Sequence, residues 1–200
     1  MTWRVLATRG CGSSIVEAAL VLCGVAYDRE ELDYTRDEDR AKLSAVNPLA
    51  QVPTLVMPDG GVMTESAAIA IYLDEQYPAA GLLPPPGDTS RRDALRWLVF
   101  LVAAVYPTFT YGDEPAKWAG PELRESTNRH REKLWRQIEG EARGPWFLGD
   151  RFSMLDVYIG VMTRWRPRRG WFTQNCPKLA AIATAVDSDP RLTALWSANF

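Results

Sequence analysis

Two hydrophobic periodicities divide the chain. Up to about residue 77, short runs with strand character alternate with segments of helical spacing, whereas beyond Pro84-Pro85-Pro86 every apolar run follows a helical period. Thr2–Thr8 reads as a strand centred on Val5 and Leu6. Ser13 and Ser14 then precede Ile15, Val16, Ala18, Ala19, Leu20 and Leu22, an apolar helical face that Gly24 ends. Tyr27–Leu32 is predicted as a second, weaker strand and the charged run Arg36–Lys42 as a loop or surface helix. Gln51–Met57 and Gly61-Val62-Met63 flank Pro58-Asp59-Gly60, which predicts a hairpin, and Glu65–Gln76 predicts a closing helix. This βαβ…ββα order describes a small mixed sheet with helices on its faces.

Pro78 and Gly81 begin a break that Pro84-Pro85-Pro86-Gly87 completes as a short stiff linker. Asp88 or Thr89 can cap the next helix, which carries Leu95, Leu98, Val102 and Val105, and Pro107 is predicted to end or kink it. Pro121 opens a helix with Leu123, Thr127, His130, Leu134 and Ile138 on one face. Ser153-Met154-Leu155-Asp156 predicts a capping box, with Phe152 at the staple position, and Pro177 starts a helix through Leu179, Ile182 and Val186. The predicted organisation is an α/β domain over residues 1–80, a linker over 81–87 and an all-α domain over 88–200.

Composition narrows the function classes. Among 200 residues, 23 Lys and Arg face 25 Asp and Glu, so the basic excess expected of a binder of nucleic acid or acidic membranes is missing. The local cluster Arg164, Arg166, Arg168 and Arg169 reads as a solvated loop or the rim of a cleft. Residues 1–20 lack the long apolar run of a secretory signal, and Leu98–Tyr106 is too short to span a bilayer, so it is expected to be a buried helix. Three cysteines cannot complete a disulfide framework and, with His130 as the sole histidine, match no zinc spacing. These features point to a reducing, cytoplasmic setting with no metal, no membrane and no nucleic-acid partner.

The segment with the clearest chemistry is Asn47-Pro48-Leu49-Ala50-Gln51-Val52-Pro53-Thr54-Leu55. A proline at a strand entrance predicts a special backbone geometry there, a cis Val52–Pro53 bond. Exposed backbone groups beside it would form a slot for an extended peptide, which pairs as another strand does. Glu65 and Ser66 stand at one end of that slot. There an acid can face an ammonium group and a helix N-terminus can take a carboxylate, although both residue types also suit ordinary first-turn capping.

Taken with the domain order and with Phe147-Leu148-Gly149-Asp150 leading into Ser153–Asp156, these motifs resemble the cytosolic glutathione S-transferase family over essentially the whole chain. The resemblance implies a thioredoxin-like first domain that binds glutathione, an all-helical second domain that holds a small hydrophobic electrophile, and a cytoplasmic homodimer with a role in detoxification. It implies that Val52, flanked by Gln51 and Pro53, pairs with the cysteinyl part of glutathione and that Glu65 and Ser66 bind the γ-glutamyl end. Arg9 and Lys42 are candidates for the glycyl carboxylate.

Such an enzyme needs the glutathione sulfur as thiolate. Gly10-Cys11-Gly12-Ser13-Ser14 lies where the family keeps its catalytic Tyr, Ser or Cys. Ser13 is the leading hydroxyl donor and Ser14 its rival, and Ser13 could instead cap the first helix. Cys11 offers a competing route through a mixed disulfide, which would make the protein a thiol transferase or reductase, although Ser14 occupies the fourth position of a Cys-x-x-Cys pattern. There is no Tyr near the end of the first strand, and Glu17 stands where related proteins often place Arg or His. Tyr106, Tyr111 and Trp165 are the candidates for the electrophile pocket. A glutathione-binding regulatory protein with little catalysis is the reading from outside enzymology.

Overall fold

A computed structural model describes residues 2–200. The chain forms two units: the first runs to Leu83 and takes back Asp187–Phe200, and the second is Pro84–Val186.

In the first unit, strands β1 (Trp3–Ala7), β2 (Tyr27–Glu31), β3 (Thr54–Val56) and β4 (Val62–Met63) form one sheet in the order β2-β1-β3-β4. β1 and β2 are parallel, joined through helix α1 (Ser13–Leu22), while β3 is antiparallel to both β1 and β4. The hairpin ends in helix α3 (Ser66–Gln76). This is the small mixed sheet that the sequence pattern predicts, in the thioredoxin-like form that the family resemblance implies. Val5, Leu6 and Ala7 are all buried, as in a strand covered on both faces. Helix α2 (Asp37–Val46) settles the choice left open for the charged run: it is a surface helix, held by one buried residue, Leu43, in a cluster with Leu6, Leu32, Val46, Ala50, Val52 and Val56. Leu82 and Leu83, assigned to the linker from sequence, are buried, and the Leu83 amide donates to Asp74 Oδ1 at 3.0 Å.

The second unit is helical: α4 (Thr89–Phe100), α5 (Tyr106–Asp113), α6 (Glu122–Glu141), α7 (Met154–Met162), α8 (Arg169–Asn175) and α9 (Pro177–Asp187). Asp88 caps α4 by accepting from the Ser90 amide at 2.8 Å. Pro107 does not end the helix. A π-helical turn over Leu101–Val105 joins α4 to α5, and the continuous segment Thr89–Asp113 reaches 25 residues. The wider π hydrogen bonding just before the proline fits a position that has no amide donor. By length and composition alone this segment could cross a bilayer, unlike the shorter run read from sequence. It also buries Trp97, Leu98, Leu101, Val105 and Phe109, as a core helix of a folded unit does.

Helix α6 departs from its expected face. His130 is exposed, and Arg131 is buried beside Leu134, Trp135 and Ile138. The Arg131 guanidinium lies 4.0 Å over the Phe109 ring and donates to Thr108 Oγ1 at 2.8 Å and to Thr108 O at 2.6 Å. Every polar edge finds an acceptor, which makes burial of this cation tolerable. Desolvation still pulls its pKa down to about 10. The arginine cluster also folds back on the unit: Arg166 pairs with Asp113, and Arg169 donates to Gly160 O at 2.7 Å.

The remaining helix, α10 (Thr193–Asn199), belongs to the first unit and meets α1. Residues 187–200 therefore group with the α/β part of the chain, although the sequence assignment placed them in the helical stretch 88–200.

The predicted capping box opens α7, whose residues are all buried. Ser153 Oγ accepts from the Leu155 amide at 3.3 Å. Asp156 accepts from the Ser153 amide at 2.8 Å and from the Phe147 amide at 2.7 Å. Burial outweighs these bonds and pushes the Asp156 carboxyl up to about 6. Between its ordinary value of 3.8 and about 6, the folded carboxyl holds a proton that the unfolded chain has released, so this group's contribution to stability falls as pH rises through that window. Asp156→Asn should lower stability by about 1–3 kcal/mol through the lost acceptor. Thermal melts of the variant between pH 4 and 7 should show a flatter fall than wild type, and parallel curves would contradict this.

Candidate functional site

The strand registers gather the candidate residues of the first unit. Leu6 pairs with Thr54 across β1 and β3, and Leu55 pairs with Met63 across β3 and β4. The ladders are antiparallel, so β3 begins at the end of the sheet where β1 and β4 finish. Three segments far apart in sequence thus meet at one end of the sheet: the turn after β1, the entrance to β3 and the start of α3. The Val52–Pro53 bond is cis, as the sequence predicts.

Val52 turns its side chain into the Leu6–Leu32–Leu43 cluster. Among the described residues no hydrogen bond involves its amide or carbonyl, so both backbone groups remain available to a ligand. The loop that presents it is fixed from inside. Buried Asn47 donates through Nδ2 to Gln51 O and Thr54 Oγ1, each at 3.0 Å, and its Oδ1 accepts from the Leu49 amide at 3.1 Å. Thr54 Oγ1 donates to Gln51 O at 2.8 Å, and Gln51 itself is exposed. Glu65 is exposed at the cap position of α3 with φ 63°, a left-handed conformation that a non-glycine residue seldom adopts. Such strain collects at ligand-holding positions. Ser66 follows as the first residue of α3, half-buried, where the helix leaves amide donors.

The turn after β1 divides its side chains. Ser13 is fully buried; its hydroxyl donates to Thr8 O at 3.1 Å and accepts from the Thr8 amide at 3.2 Å. Ser14, also buried, donates to Cys11 O at 2.8 Å. Both hydroxyls close the turn from within, whereas a donor to a bound sulfur would face outward. Cys11 is half-buried, with Sγ 3.9 Å from the hydroxyl of Tyr34, a residue the sequence reading did not single out. Its clue in the sequence is slight: an aromatic residue two positions after the last apolar residue of the β2 region. Burial pushes the Cys11 thiol above its ordinary value, the Tyr34 bond opposes that rise and the Glu31 charge adds to it. A neutral thiol is a poor nucleophile.

Behind the turn lies a buried ion-pair network. Glu17, fully buried on α1, accepts from Arg29 Nε at 2.8 Å, from Tyr27 Oη at 3.3 Å and from Asn199 Nδ2 at 3.4 Å. Arg29 also pairs with Glu31, which accepts from the Arg9 amide at 2.9 Å. Desolvation raises the Glu17 pKa against the pull of Arg29. The unusual acid at position 17 is therefore matched by a cation from β2, and it ties α10 to the base of the turn. Lys42 pairs with Asp39 at 3.1 Å on α2, and Arg9 is exposed on the turn.

In the second unit Tyr106 and Trp165 join one aromatic group: their rings meet edge-to-face at 5.4 Å, and Phe109 lies 5.2 Å from Trp165. Tyr111 is apart from them, exposed and stacked edge-on with Trp118 at 4.9 Å. Among the described residues no three His, Cys, Asp or Glu side chains gather as a metal site.

The fold agrees with comparisons to known proteins. Residues 13–76 match the family model of the glutathione S-transferase N-terminal domain. The GST-like protein YncG of Escherichia coli (strain K12) is 36% identical over 202 residues, covering 98% of either chain. The chain belongs to the glutathione S-transferase family. A maleylacetoacetate isomerase of Rhizobium meliloti (strain 1021) is 33% identical over 187 residues, covering 87% of this chain and 85% of its own length. A Sulfitobacter glutathione transferase homologue, solved with bound glutathione, superposes with TM-score 0.87 at 22% identity, over 98% of this chain and 97% of its own, and supports the fold.

Asn47→Ala removes the donor and acceptor that organise the loop before β3. It should cost about 1–3 kcal/mol of stability and speed hydrogen exchange at the Leu49 amide, which loses its acceptor. Unchanged exchange at Leu49 would show that the loop holds its shape without Asn47.

Proposed function

We propose that the protein is a glutathione transferase: it holds glutathione across the strand ends of the first unit and directs the thiolate at a small hydrophobic electrophile. The observation that carries this reading is that β3 begins at the end of the sheet where β1 and β4 finish, so the turn after β1, the loop with cis Val52–Pro53 and the Glu65–Ser66 helix start all leave the sheet at that end. Neighbouring strands lie about 4.8 Å apart, so crossing from β4 over β3 to β1 covers about 10 Å, close to an extended tripeptide at about 3.3 Å per residue. In this reading the γ-glutamyl ammonium faces Glu65, its carboxylate meets the amide end of α3, and the cysteinyl backbone pairs with Val52. The sulfur then reaches the start of α1, where the helix dipole favours negative charge. The glycyl carboxylate extends toward Arg9. Conjugation forms a bond from sulfur to the electrophilic carbon, and a leaving group departs or a double bond takes up the electron pair.

Ser13 serves this reaction by closing the turn, since its hydroxyl is already engaged with Thr8. The raised pKa of Cys11 favours conjugation over a mixed-disulfide cycle, because a protonated thiol does not attack a disulfide. The relative named as a maleylacetoacetate isomerase supports isomerisation as a further reaction within this reading. The aromatic group of Tyr106, Phe109 and Trp165 is the reading's candidate wall for an apolar substrate. A cytoplasmic homodimer and a detoxifying role accompany this reading through the family resemblance.

Glu65→Gln should weaken glutathione binding about tenfold in calorimetry, since a hydrogen bond to a charged group contributes about 1.5–3 kcal/mol, and Ser66→Ala should have a smaller effect. Equal affinity in Glu65→Gln would remove the acid from the site. Steady-state turnover of a halogenated aromatic should survive Cys11→Ala. Its loss, together with loss of disulfide reduction, would move the protein to thiol transfer.

A further inference from the structure

The loop after β2 brings a phenol to the turn after β1, beside the Cys11 thiol. The Leu32 amide donates to Ala7 O at 2.8 Å, and Leu32 O accepts from Thr8 Oγ1 at 2.5 Å, so the chain leaving β2 is latched to the end of β1. Asp33 then closes the loop: its Oδ1 accepts from the Thr35 amide at 2.9 Å and from Thr35 Oγ1 at 2.6 Å, while its own amide donates to Asp39 Oδ2 at 3.1 Å. Tyr34 sits inside the turn that the Asp33–Thr35 bonds close. It remains exposed, and its hydroxyl lies 3.9 Å from Cys11 Sγ. Its position is thus set by the two residues before it, Leu32 tied to the end of β1 and Asp33 tied to Asp39 of α2, and by the Asp33–Thr35 turn that spans it.

We infer that Tyr34 is a catalytic residue of the glutathione reaction, its hydroxyl donating to the bound sulfur and stabilising the thiolate. This rests on the transferase reading above. The first strand carries no tyrosine at its end, and the Ser13 and Ser14 hydroxyls are turned inward to Thr8 and Cys11. A sulfur seated against the outer side of Cys11 comes within reach of the Tyr34 hydroxyl. A phenol is a stronger donor than an aliphatic hydroxyl, and a bond to an ionised acceptor is stronger than one between neutral groups. The glutathione thiol proton passes to water, the electron pair stays on sulfur, and no bond within the protein forms or breaks. Stabilisation of this kind lowers the pKa of the bound thiol and raises the fraction of attacking thiolate near neutral pH.

The test is Tyr34→Phe, which keeps the ring and removes only the hydroxyl of an exposed side chain. The ultraviolet absorbance of the thiolate in the enzyme–glutathione complex, titrated with pH, should show the bound thiol pKa about one unit higher in the variant. Turnover of a halogenated aromatic at pH 6.5 should fall about tenfold, with the glutathione dissociation constant changed less than twofold and the loss recovered at alkaline pH. An unchanged titration with unchanged turnover overturns the inference, as does a fall in glutathione affinity with the thiol pKa intact, because shielding of Cys11 or support of the loop would produce only that. Wild-type protein that binds no glutathione in calorimetry would overturn the transferase reading itself, and this inference with it.

Discussion

The register of β3 against its two neighbours is the constraint on which the site depends. Thr54 and Leu55 are buried in a sheet with covered faces, and a slip of one residue would turn each to the opposite side. Because β3 is antiparallel to both β1 and β4, the end where β3 begins is also where β1 and β4 finish. The turn after β1, the backbone of Val52 and the start of α3 are neighbours for that reason. The loop before β3 needs its own support, since it leaves the ladder. Asn47 and Thr54 provide it through bonds to Gln51 O. The Val52 side chain adds an apolar anchor while its amide and carbonyl stay available.

The turn itself is held by polar ties of three kinds. Hydroxyls of Ser13 and Ser14 close it from inside. The Arg9 amide reaches Glu31, which joins Arg29 and the buried Glu17. Asn199 then links that ion pair to the last helix, so residues near the end of the chain support a loop near its start. A buried carboxylate with one partner removed is costly, and this network leaves Glu17 with three donors. What remains at the outer side of the turn is a half-buried thiol beside a phenol, a weakly acidic pair next to the positive end of a helix.

Much of the first unit was legible in the sequence because strand and helix periods differ and turn residues mark their borders. The order of elements, the Val52–Pro53 bond, the Glu65–Ser66 helix start and the Ser153–Asp156 capping box follow from local chemistry. Features fixed by partners distant in sequence were not legible. The spacing in α6 placed His130 on the inner face, yet Arg131 is buried there because Thr108 and Phe109 of α5 supply acceptors and a ring. Seryl hydroxyls at a helix start look alike from sequence whether they face a ligand or the end of the preceding strand. Tyr34 reaches Cys11 only because Leu32 is latched to Ala7 and Thr8. Tyr106 and Trp165 do come together, but Tyr111, close by in sequence, belongs to a separate pair with Trp118.

The central claim is that one end of one sheet is a glutathione site. Backbone amide chemical shifts recorded as glutathione is added to the labelled protein test it most directly. The account predicts saturable shifts concentrated at Thr8–Gly12, Val52 and Glu65–Ser66, with α2 changing little beyond its contact with the loop. Absence of saturable shifts, or a saturable set that leaves Val52 and Ser66 unmoved, would contradict it.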